Sequence, residues 1–146
     1  MGLFQAFDIS ASGMTAERFR MDTFAQNIAN INTTRTEDGT PYRRKIVTFA
    51  EKTETPFSQY YETARARAVG NGVKVTSVKE DDETEMRMVY DPSHPDADEN
   101  GYVTYPNVNT VTEMTNLIDA TRAYEANTTA FDATKSMVQA ALNISK

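Results

Sequence analysis

The chain has 146 residues, a formal net charge of −6 and a mean hydropathy of −0.58. This length fits one compact domain, or a small domain with long helical extensions, and excludes two full-sized hydrophobic cores. The negative charge, with no basic run longer than residues 42–45, argues against a nucleic-acid partner, and the absence of cysteine excludes disulfides, thiolate nucleophiles and cysteine-ligated metals.

The first eight residues, MGLFQAFD, lack the basic start and the continuous apolar run of a cleavable signal peptide. No stretch of the sequence approaches the roughly 18 apolar residues that a membrane-spanning helix needs. We therefore expect a chain that stays in the cytosol or leaves the cell by a route that does not cleave it.

The amino-terminal segment, residues 1–34, is predicted to form one amphipathic helix. Residues 3–31 contain no proline, and Gly13 is their only glycine. Phe24 widens a stripe of apolar residues that recur every seven positions, a spacing that places them on one helix face. The members of this stripe are Phe7, Met14, Met21 and Ile28.

The end of that segment is rich in asparagine, with NIANINTT at residues 27–34. Asparagine favours helix ends and turns because its amide hydrogen-bonds to the nearby backbone, so the run predicts the end of the helix. Asn27 and Asn30 also lie one turn apart beside the apolar stripe, where their amides could fix the register against another helix. Both interpretations stay open on the residues alone.

The central region, residues 35–106, holds four of the six glycines and all five prolines, a composition that interrupts helices. Four short runs are alternating or rich in β-branched residues, as strands are. The stretch 53–67 has no clear period, and its conformation is left open, with Phe57, Tyr60 and Tyr61 as apolar anchors. The predicted strands of this small β-rich insert are residues 46–49, 73–78, 86–90 and 102–105.

The carboxyl-terminal segment, residues 107–146, is predicted to be a second long helix. Pro106 lies just upstream, and Thr110 with Glu113 fits a capping box, so the helix should begin between Asn107 and Val111. Two rows of residues at seven-residue spacing form a seam like that of a coiled coil. The rows are Leu117, Tyr124, Phe131 and Val138, and Ala123, Ala130, Met137 and Ile144. The predicted fold is α+β, with the two terminal helices paired and a small β-rich insert between them.

Two clusters of polar residues are candidates for chemistry, and both have a structural interpretation. Residues 96–101, DADENG, copy the first half of a calcium loop, but Asn107 stands where the bidentate glutamate belongs, so an Asx turn is favoured. His94, the single histidine, has Ser93 and Asp91 as neighbours, but adjacent residues rarely converge as a catalytic triad does. We predict no catalytic residue, no metal site and no cofactor.

Two charged runs can also be interpreted as ordinary structural features of the surface. The acidic run 80–83 is typical of a solvated turn between two strands. The basic run 42–45 is predicted to be the charged start of an exposed strand, or a contact for an acidic partner surface.

Several motifs are recognisable together. Residues 12–14, SGM, and 27–33, NIANINT, resemble the amino-terminal signature of the bacterial flagellar rod and hook family. YDPSHPDAD at residues 90–98, YPNVN at 105–109 and RAYEAN at 122–127 resemble the proximal-rod members of that family, and the resemblance spans nearly the whole chain. The motif residues singled out are Asn27, Ala29, Asn30, Asn32, Tyr105, Pro106 and Asn107.

The resemblance implies a non-enzymatic subunit that leaves through the flagellar type III export apparatus without cleavage and polymerises into an axial tube crossing the periplasm. It implies that the terminal helices form the inner layer of the tube and that the insert lies on its outer side. The implied partners are copies of itself, other proximal and distal rod proteins, and membrane-ring and export-gate proteins at the rod base, with no nucleic acid and no small-molecule substrate. The implied assembly interface comprises Phe7, Met14, Met21, Phe24, Ile28, Leu117, Tyr124, Phe131, Met137 and Val138.

The residues themselves support two apolar seams that are longer than one small insert can cover. This predicts either oligomerisation or terminal disorder in the monomer, with the helices ordering as assembly buries their stripes. A helical-hairpin adaptor or export chaperone would use similar seams, would remain in the cytosol and would bind one client. A hydrolase centred on His94 is the enzymatic alternative.

Overall fold

The computed structural model of the chain describes residues 3–52 and 70–144. Every predicted helix and strand is present within a few residues of its predicted bounds, which confirms the α+β class. The open segment 53–67, with Phe57, Tyr60 and Tyr61, lies outside the described residues. The elements are α1 (Leu3–Ala29), β1 (Lys45–Glu51), β2 (Val73–Glu80), β3 (Arg87–Tyr90), β4 (Tyr102–Tyr105) and α2 (Thr110–Ile144).

Helix α1 ends in the asparagine-rich run, as predicted. The Asn30 backbone N–H and side-chain Nδ2 both donate to the Gln26 carbonyl, at 3.2 and 2.9 Å. Asn30 Oδ1 in turn accepts the Thr33 hydroxyl at 3.1 Å. The last carbonyls of the helix therefore have local partners, which is the usual reason for asparagine at a helix end.

Helix α2 begins inside the predicted window, but its cap differs from the predicted one. Asn109 is the N-cap, because its Oδ1 accepts the N–H groups of Val111 and Thr112 at 3.0 and 3.3 Å. The expected capping box of Thr110 and Glu113 is wrong, since the Glu113 side chain turns inward and is fully buried. A sequence pattern alone cannot show that a carboxylate at this position has a stronger partner elsewhere.

The strands among the described residues form two two-stranded sheets, β1 with β2 and β3 with β4. Strands β3 and β4 are antiparallel, with Val89 opposite Val103 and Tyr90 opposite Tyr102. Val103 is fully buried, whereas Tyr90 and Tyr102 are exposed and stack edge to face with ring centroids 5.3 Å apart. Val103 of β4 therefore packs in a core, whereas all four residues of β3 are exposed.

The chain divides into two compact units, each of which takes part of both helices. This division follows packing, whereas the segmentation into 1–34, 35–106 and 107–146 follows the order of elements and stays a prediction. Unit 1 consists of the described residues of Met1–Phe19, Thr48–Ser77 and Ala120–Lys146, and unit 2 of Arg20–Val47 and Val78–Asp119.

The buried residues of unit 1 are small. Ser10, Ala16, Ala120 and Thr134 are all less than 9% exposed. Small side chains let two helices approach closely, and a methyl group added at Gly13 would lie only 2.6 Å from Asn127 Oδ1. The two helices of this unit therefore approach each other closely, because small side chains fill the space between them.

Neither helix described by the structure is long and apolar enough to cross a membrane.

Candidate assembly interface

Asn27 is fully buried in unit 2, and every hydrogen-bonding group of its side-chain amide has a partner. Its Oδ1 accepts the Tyr42 hydroxyl and the Lys45 backbone N–H, both at 2.9 Å. Its Nδ2 donates to the Lys45 carbonyl at 2.9 Å and to Glu113 Oε2 at 2.8 Å. This one amide therefore joins α1 to the start of β1 and to α2.

Glu113 is buried together with its counter-charge. Its Oε1 lies 2.7 Å from Arg44 Nε, and Arg44 Nη1 lies 3.4 Å from Asp81 Oδ2. The side chains of Glu113 and Asp81 are 0% and 7% exposed, and that of Arg44 is 23% exposed. Burying a carboxylate costs free energy unless it is paired and hydrogen-bonded. Arg44 therefore stabilises the buried carboxylates of Glu113 and Asp81.

Asn107, which lies just before the start of α2, completes the arrangement. Its Oδ1 accepts the Arg44 backbone N–H at 2.8 Å, and its Nδ2 donates to the carbonyls of Asp81 and Thr84 at 2.8 and 3.2 Å. The Asp81 N–H donates to the Arg44 carbonyl at 2.8 Å. The turn after β2 is thereby tied to the start of β1. We call the six side chains Asn27, Tyr42, Arg44, Asp81, Asn107 and Glu113 the polar network.

The polar network fixes helix register within the chain. One of the two interpretations left open for Asn27 is that it sets register against another helix, and in the structure its amide hydrogen-bonds to Glu113 of α2 in the same molecule. Asn30, the second candidate, hydrogen-bonds only with Gln26 and Thr33 close to it in sequence. Directional hydrogen bonds between buried groups penalise a slipped register more strongly than apolar contacts do.

Two members of the polar network have pKa values shifted in opposite directions from their ordinary values. Burial raises the pKa of the Tyr42 phenol, and the negative charges of Glu80 and Glu113 add to the effect. The Thr84 backbone N–H lowers the pKa of the Asp81 carboxyl against the cost of its burial, with help from the Thr84 hydroxyl and the Arg44 guanidinium. The ionised form of Asp81 is therefore part of the folded arrangement.

Acid should consequently destabilise unit 2 through Asp81. A carboxyl whose pKa is lower in the folded state than its ordinary 3.8 contributes stability above that value, and the contribution is lost as pH falls through the folded pKa. We expect the free energy of unfolding to fall below about pH 4 and to fall less steeply in Asp81→Asn. Chemical denaturation between pH 7 and 2 measures both slopes. Asp82→Asn, an exposed neighbour, should keep the wild-type slope; an unchanged slope in Asp81→Asn would contradict the assignment.

The two charged runs pair with each other. Besides the contacts of Arg44, Arg43 Nη1 lies 3.1 Å from Asp82 Oδ1 and donates to the Asp81 carbonyl at 3.4 Å. The prediction of a solvated acidic turn is wrong for Asp81, which is 6% exposed, although Asp82 and Glu83 are exposed. The predicted exposed basic start of β1 is wrong for Tyr42, which is buried.

In unit 1 the helices meet through rings and small groups. The Phe7 and Phe131 rings pack edge to face with centroids 4.8 Å apart. The Thr128 hydroxyl lies 3.4 Å from the Met14 sulfur. As the α1 position advances from Phe7 to Met14, the α2 position recedes from Phe131 to Thr128, so the two helices run antiparallel here.

The predicted interface residues differ in how far this single chain covers them. Phe24 is buried at 5% exposure, and Met137 is 63% exposed. The predicted rows are therefore covered unevenly within the subunit, with Phe24 packed inside it and Met137 exposed. The remaining eight are half-buried: Phe7, Met14, Met21, Ile28, Leu117, Tyr124, Phe131 and Val138.

The sequence interpretation missed a row of exposed apolar residues on the unit 2 part of α2. Val111, Met114 and Ile118 are 73%, 53% and 52% exposed. Their spacing of three and four is a helical signal that points to them, but the seven-residue row beginning at Leu117 is the more regular pattern on this helix. We call Val111, Met114 and Ile118 the exposed row. In unit 1, α2 exposes Met137, Leu142 and Ile144.

His94 does not form a relay with its neighbours. Ser93 Oγ donates to Asp91 Oδ1 at 2.6 Å, and this bond lowers the pKa of the Asp91 carboxyl. His94 Nδ1 accepts the Asp96 backbone N–H at 3.1 Å, and the ring packs near Tyr105 with centroids 6.4 Å apart. A triad needs the imidazole to accept the serine proton, and here the serine proton goes to the carboxylate.

The calcium-like segment is an Asx turn. Asp98 Oδ1 accepts the N–H groups of Asn100 and Tyr102 at 2.9 and 2.8 Å, and Gly101 adopts a φ of +79°. Asp96 faces the other way, accepting the Thr34 hydroxyl at 2.8 Å. Within residues 3–52 and 70–144, no group of three or more His, Cys, Asp or Glu side chains is arranged to hold a metal ion.

The chain was matched by two family models and by full-length relatives. The model described as "Flagella basal body rod protein" matches residues 7–35, and "Flagellar basal body rod FlgEFG protein C-terminal" matches residues 99–144. The chain is 45% identical to the flagellar basal-body rod protein FlgC of Bacillus subtilis over all of both chains. It is 43% identical to FlgC of Borreliella burgdorferi and 40% identical to FlgC of Salmonella typhimurium, each over 99% of this chain and 98% of the relative. The chain belongs to the FlgC family of flagellar basal-body rod proteins.

The polar network links the two parts that the rod-protein models match. Asn27 lies in the first matched stretch, and Asn107 and Glu113 lie in the second. The hydrogen bond from Asn27 to Glu113 spans 86 residues of sequence and joins these stretches directly. Arg44 and Asp81 come from the region between them.

The other FlgC motif residues have separate positions. Ala29 and Asn32 are exposed at the end of α1, and Pro106 is buried just before α2. Tyr105 is half-buried, with the Arg87 guanidinium 5.1 Å from its ring centroid. In the earlier motif, Ser12 Oγ accepts the Val73 N–H at 3.1 Å and so connects α1 to β2 within unit 1.

Proposed function

We propose that this chain is a structural subunit of the proximal rod, which assembles with copies of itself and with other rod proteins through its two terminal helices. Its membership of the FlgC family supports this role. The observation that carries it is the surface of α2, a helix of 35 residues that exposes Val111, Met114 and Ile118 in unit 2 and Met137, Leu142 and Ile144 in unit 1.

These side chains are a source of assembly energy. Burying one large apolar side chain contributes roughly 1.5 to 3 kcal/mol before the entropic cost of association is subtracted. Exposed apolar residues repeated along a helix are typical of a surface that a partner covers. A rod, in which each subunit contacts several neighbours, offers such cover along the whole helix.

The finer assignments follow from the same role. The helical segments 1–34 and 107–146 form the inner layer of the rod, and the β-rich region 35–106 lies on its outer side. The neighbours are other proximal and distal rod proteins, together with membrane-ring and export-gate proteins at the rod base. The subunit leaves by type III export without cleavage, lies in the rod that crosses the periplasm and is required for motility. It uses no cofactor, nucleic acid or small-molecule substrate and catalyses no reaction.

The ten residues expected at the assembly interface fall into two groups with different contacts. The half-buried members, such as Phe7 and Phe131, pair helices mainly within the subunit. Exposed members, such as Met137, contact neighbouring subunits, and the exposed row joins them in this role. A side chain that is already packed in the free chain has less area left to bury on assembly.

The test is deletion of the gene in its source bacterium, with complementation and electron microscopy of purified basal bodies. We expect rods to be absent after deletion and restored by the wild-type gene. Met114→Asp should be exported but should fail to restore rods, because it leaves a charge in a covered contact. The exposed neighbour Thr115→Asp should restore them. Intact rods and motility after deletion would reject the role and favour a cytosolic adaptor.

A further inference from the structure

We propose that Glu113 is a positioning residue for assembly. Through the polar network it holds residues 20–29 of α1 and 110–119 of α2 folded and in register in the unassembled subunit. The exposed row is then presented before a neighbouring copy arrives. This inference rests on the proposed rod function only for what the exposed row contacts; the order of the free chain can be measured without it.

The polar network is complete within one molecule. Asn27 and Glu113 are both 0% exposed, and the Asn27 amide uses both of its donors and accepts two hydrogen bonds from its own chain. Glu113 receives one hydrogen bond from Asn27 and one from Arg44. These groups need no partner from a neighbour, so the unit 2 parts of both helices have reason to fold before assembly.

The helix parts in unit 1 are held differently. Between the helices, the rings of Phe7 and Phe131 and several small side chains are in contact, and Ser12 Oγ accepts one hydrogen bond from β2. The far end of α2 is open, with Ile144 86% exposed. Ring and small-group contacts are less directional than the hydrogen bonds of the polar network, so they fix helix register less strongly. We therefore expect residues 3–19 and 120–144 to be less stable in the free subunit than residues 20–29 and 110–119, and to gain stability on assembly.

The position of Glu113 on the helix determines where the exposed row points. With 3.6 residues per turn, Val111, Met114 and Ile118 lie roughly 100–160° around the helix from Glu113. When Glu113 is held inward, the three apolar side chains face outward, as their exposures of 52% to 73% show. Rotation of α2 that moved the row toward the core would expose Glu113 and break its bonds to Arg44 and Asn27.

Hydrogen exchange on the dilute full-length chain, followed by mass spectrometry of peptides, tests the first step. In the wild type we expect stronger protection in 20–29 and 110–119 than in 3–19 and 120–144. Glu113→Ala should lower protection in both inner segments by at least about a hundredfold, because it breaks a buried ion pair. Glu113→Gln, which keeps an acceptor for Asn27, should restore part of it. Glu125→Ala, which removes an exposed carboxylate from the same helix, should change neither segment.

A stability-matched variant separates positioning from general weakening. Val103→Ala trims the fully buried β4 residue of the same unit without touching the polar network. The two variants are compared at temperatures at which denaturant unfolding gives them the same free energy of unfolding. Under those conditions, Glu113→Ala should leave fewer basal bodies with complete rods than Val103→Ala. Equal rod yields, or equal protection along each whole helix in the wild type, would overturn the proposal. Neither result would affect the gene-deletion test of rod function.

Discussion

Asn27→Ala should lower the free energy of unfolding by at least about 3 kcal/mol, one of the two largest effects that we expect from a single substitution. The methyl group that remains cannot satisfy the Tyr42 hydroxyl, the Lys45 N–H and carbonyl, or the Glu113 oxygen that Asn27 now contacts. Each of these groups is buried or half-buried, so water replaces the lost partner poorly. Chemical denaturation of the full-length chain measures the loss.

Asn30→Ala is the matched control, because it removes the same type of side-chain amide from the turn that directly follows α1. Its side chain is half-buried and hydrogen-bonds only with Gln26 and Thr33, so its loss should cost less than about 1 kcal/mol. Equal losses for the two variants would mean that the polar network does not stabilise the subunit more than a helix end does. A larger loss for Asn30→Ala would contradict the assignment outright.

The secondary structure was largely predictable because its signals are local. A proline-free segment with a seven-residue apolar spacing predicted α1, and Pro106 followed by polar residues predicted a start for α2 close to the observed Thr110. Glycine, proline and β-branched residues in turn marked the four strands. Such signals depend on neighbours in sequence, so they survive without knowledge of the packing.

The polar network was not predictable, because its partners are far apart in sequence. Arg44 and Asp81 belong to charged runs that alone indicate a solvated surface, and Glu113 fits a helix cap. Only the fold brings Arg44 between the two carboxylates. Asn27 was noticed for its position beside an apolar stripe, but nothing local identifies Glu113, 86 residues away, as its partner.

The apolar rows show a second limit of sequence periodicity. A seven-residue repeat shows that residues share a helix face, but the face can be covered within the subunit or by a neighbour. Tyr124 and Phe131 are half-buried here, whereas Met137 and the exposed row are left open. The distinction requires knowledge of which face of α2 already packs against α1, and that depends on register.

Register also refines the hypothesis that the terminal helices gain order only on assembly. That hypothesis predicts weak hydrogen-exchange protection before residue 31 and after residue 110 in dilute monomer. The polar network satisfies its own buried groups at 20–29 and 110–119, so weak protection is expected only for the outer parts of the helices. An export channel would then have to unfold a preformed small unit, and assembly would stabilise the weaker outer parts of the helices.

Phe131→Asp and Met137→Asp should both prevent rod assembly, but only the first should weaken the free subunit. Phe131 is half-buried against the Phe7 ring, so its replacement by a charge should cost about 2 kcal/mol or more of unfolding free energy. Met137 is 63% exposed, and its substitution should change stability by no more than about 0.5 kcal/mol. Denaturation of the purified chains and electron microscopy of complemented basal bodies measure the two effects, with secretion assayed to confirm export.

Ser136→Asp supplies the control for both, since it places the same charge on an exposed polar position of the same helix. It should leave stability and rods unchanged, which would show that aspartate itself is tolerated in this part of α2. If Met137→Asp formed normal rods, the exposed end of α2 would not be a subunit contact. If Phe131→Asp left the free chain as stable as the wild type, the ring pair would contribute only in the assembled rod, and the unit 1 helices would be ordered by their neighbours.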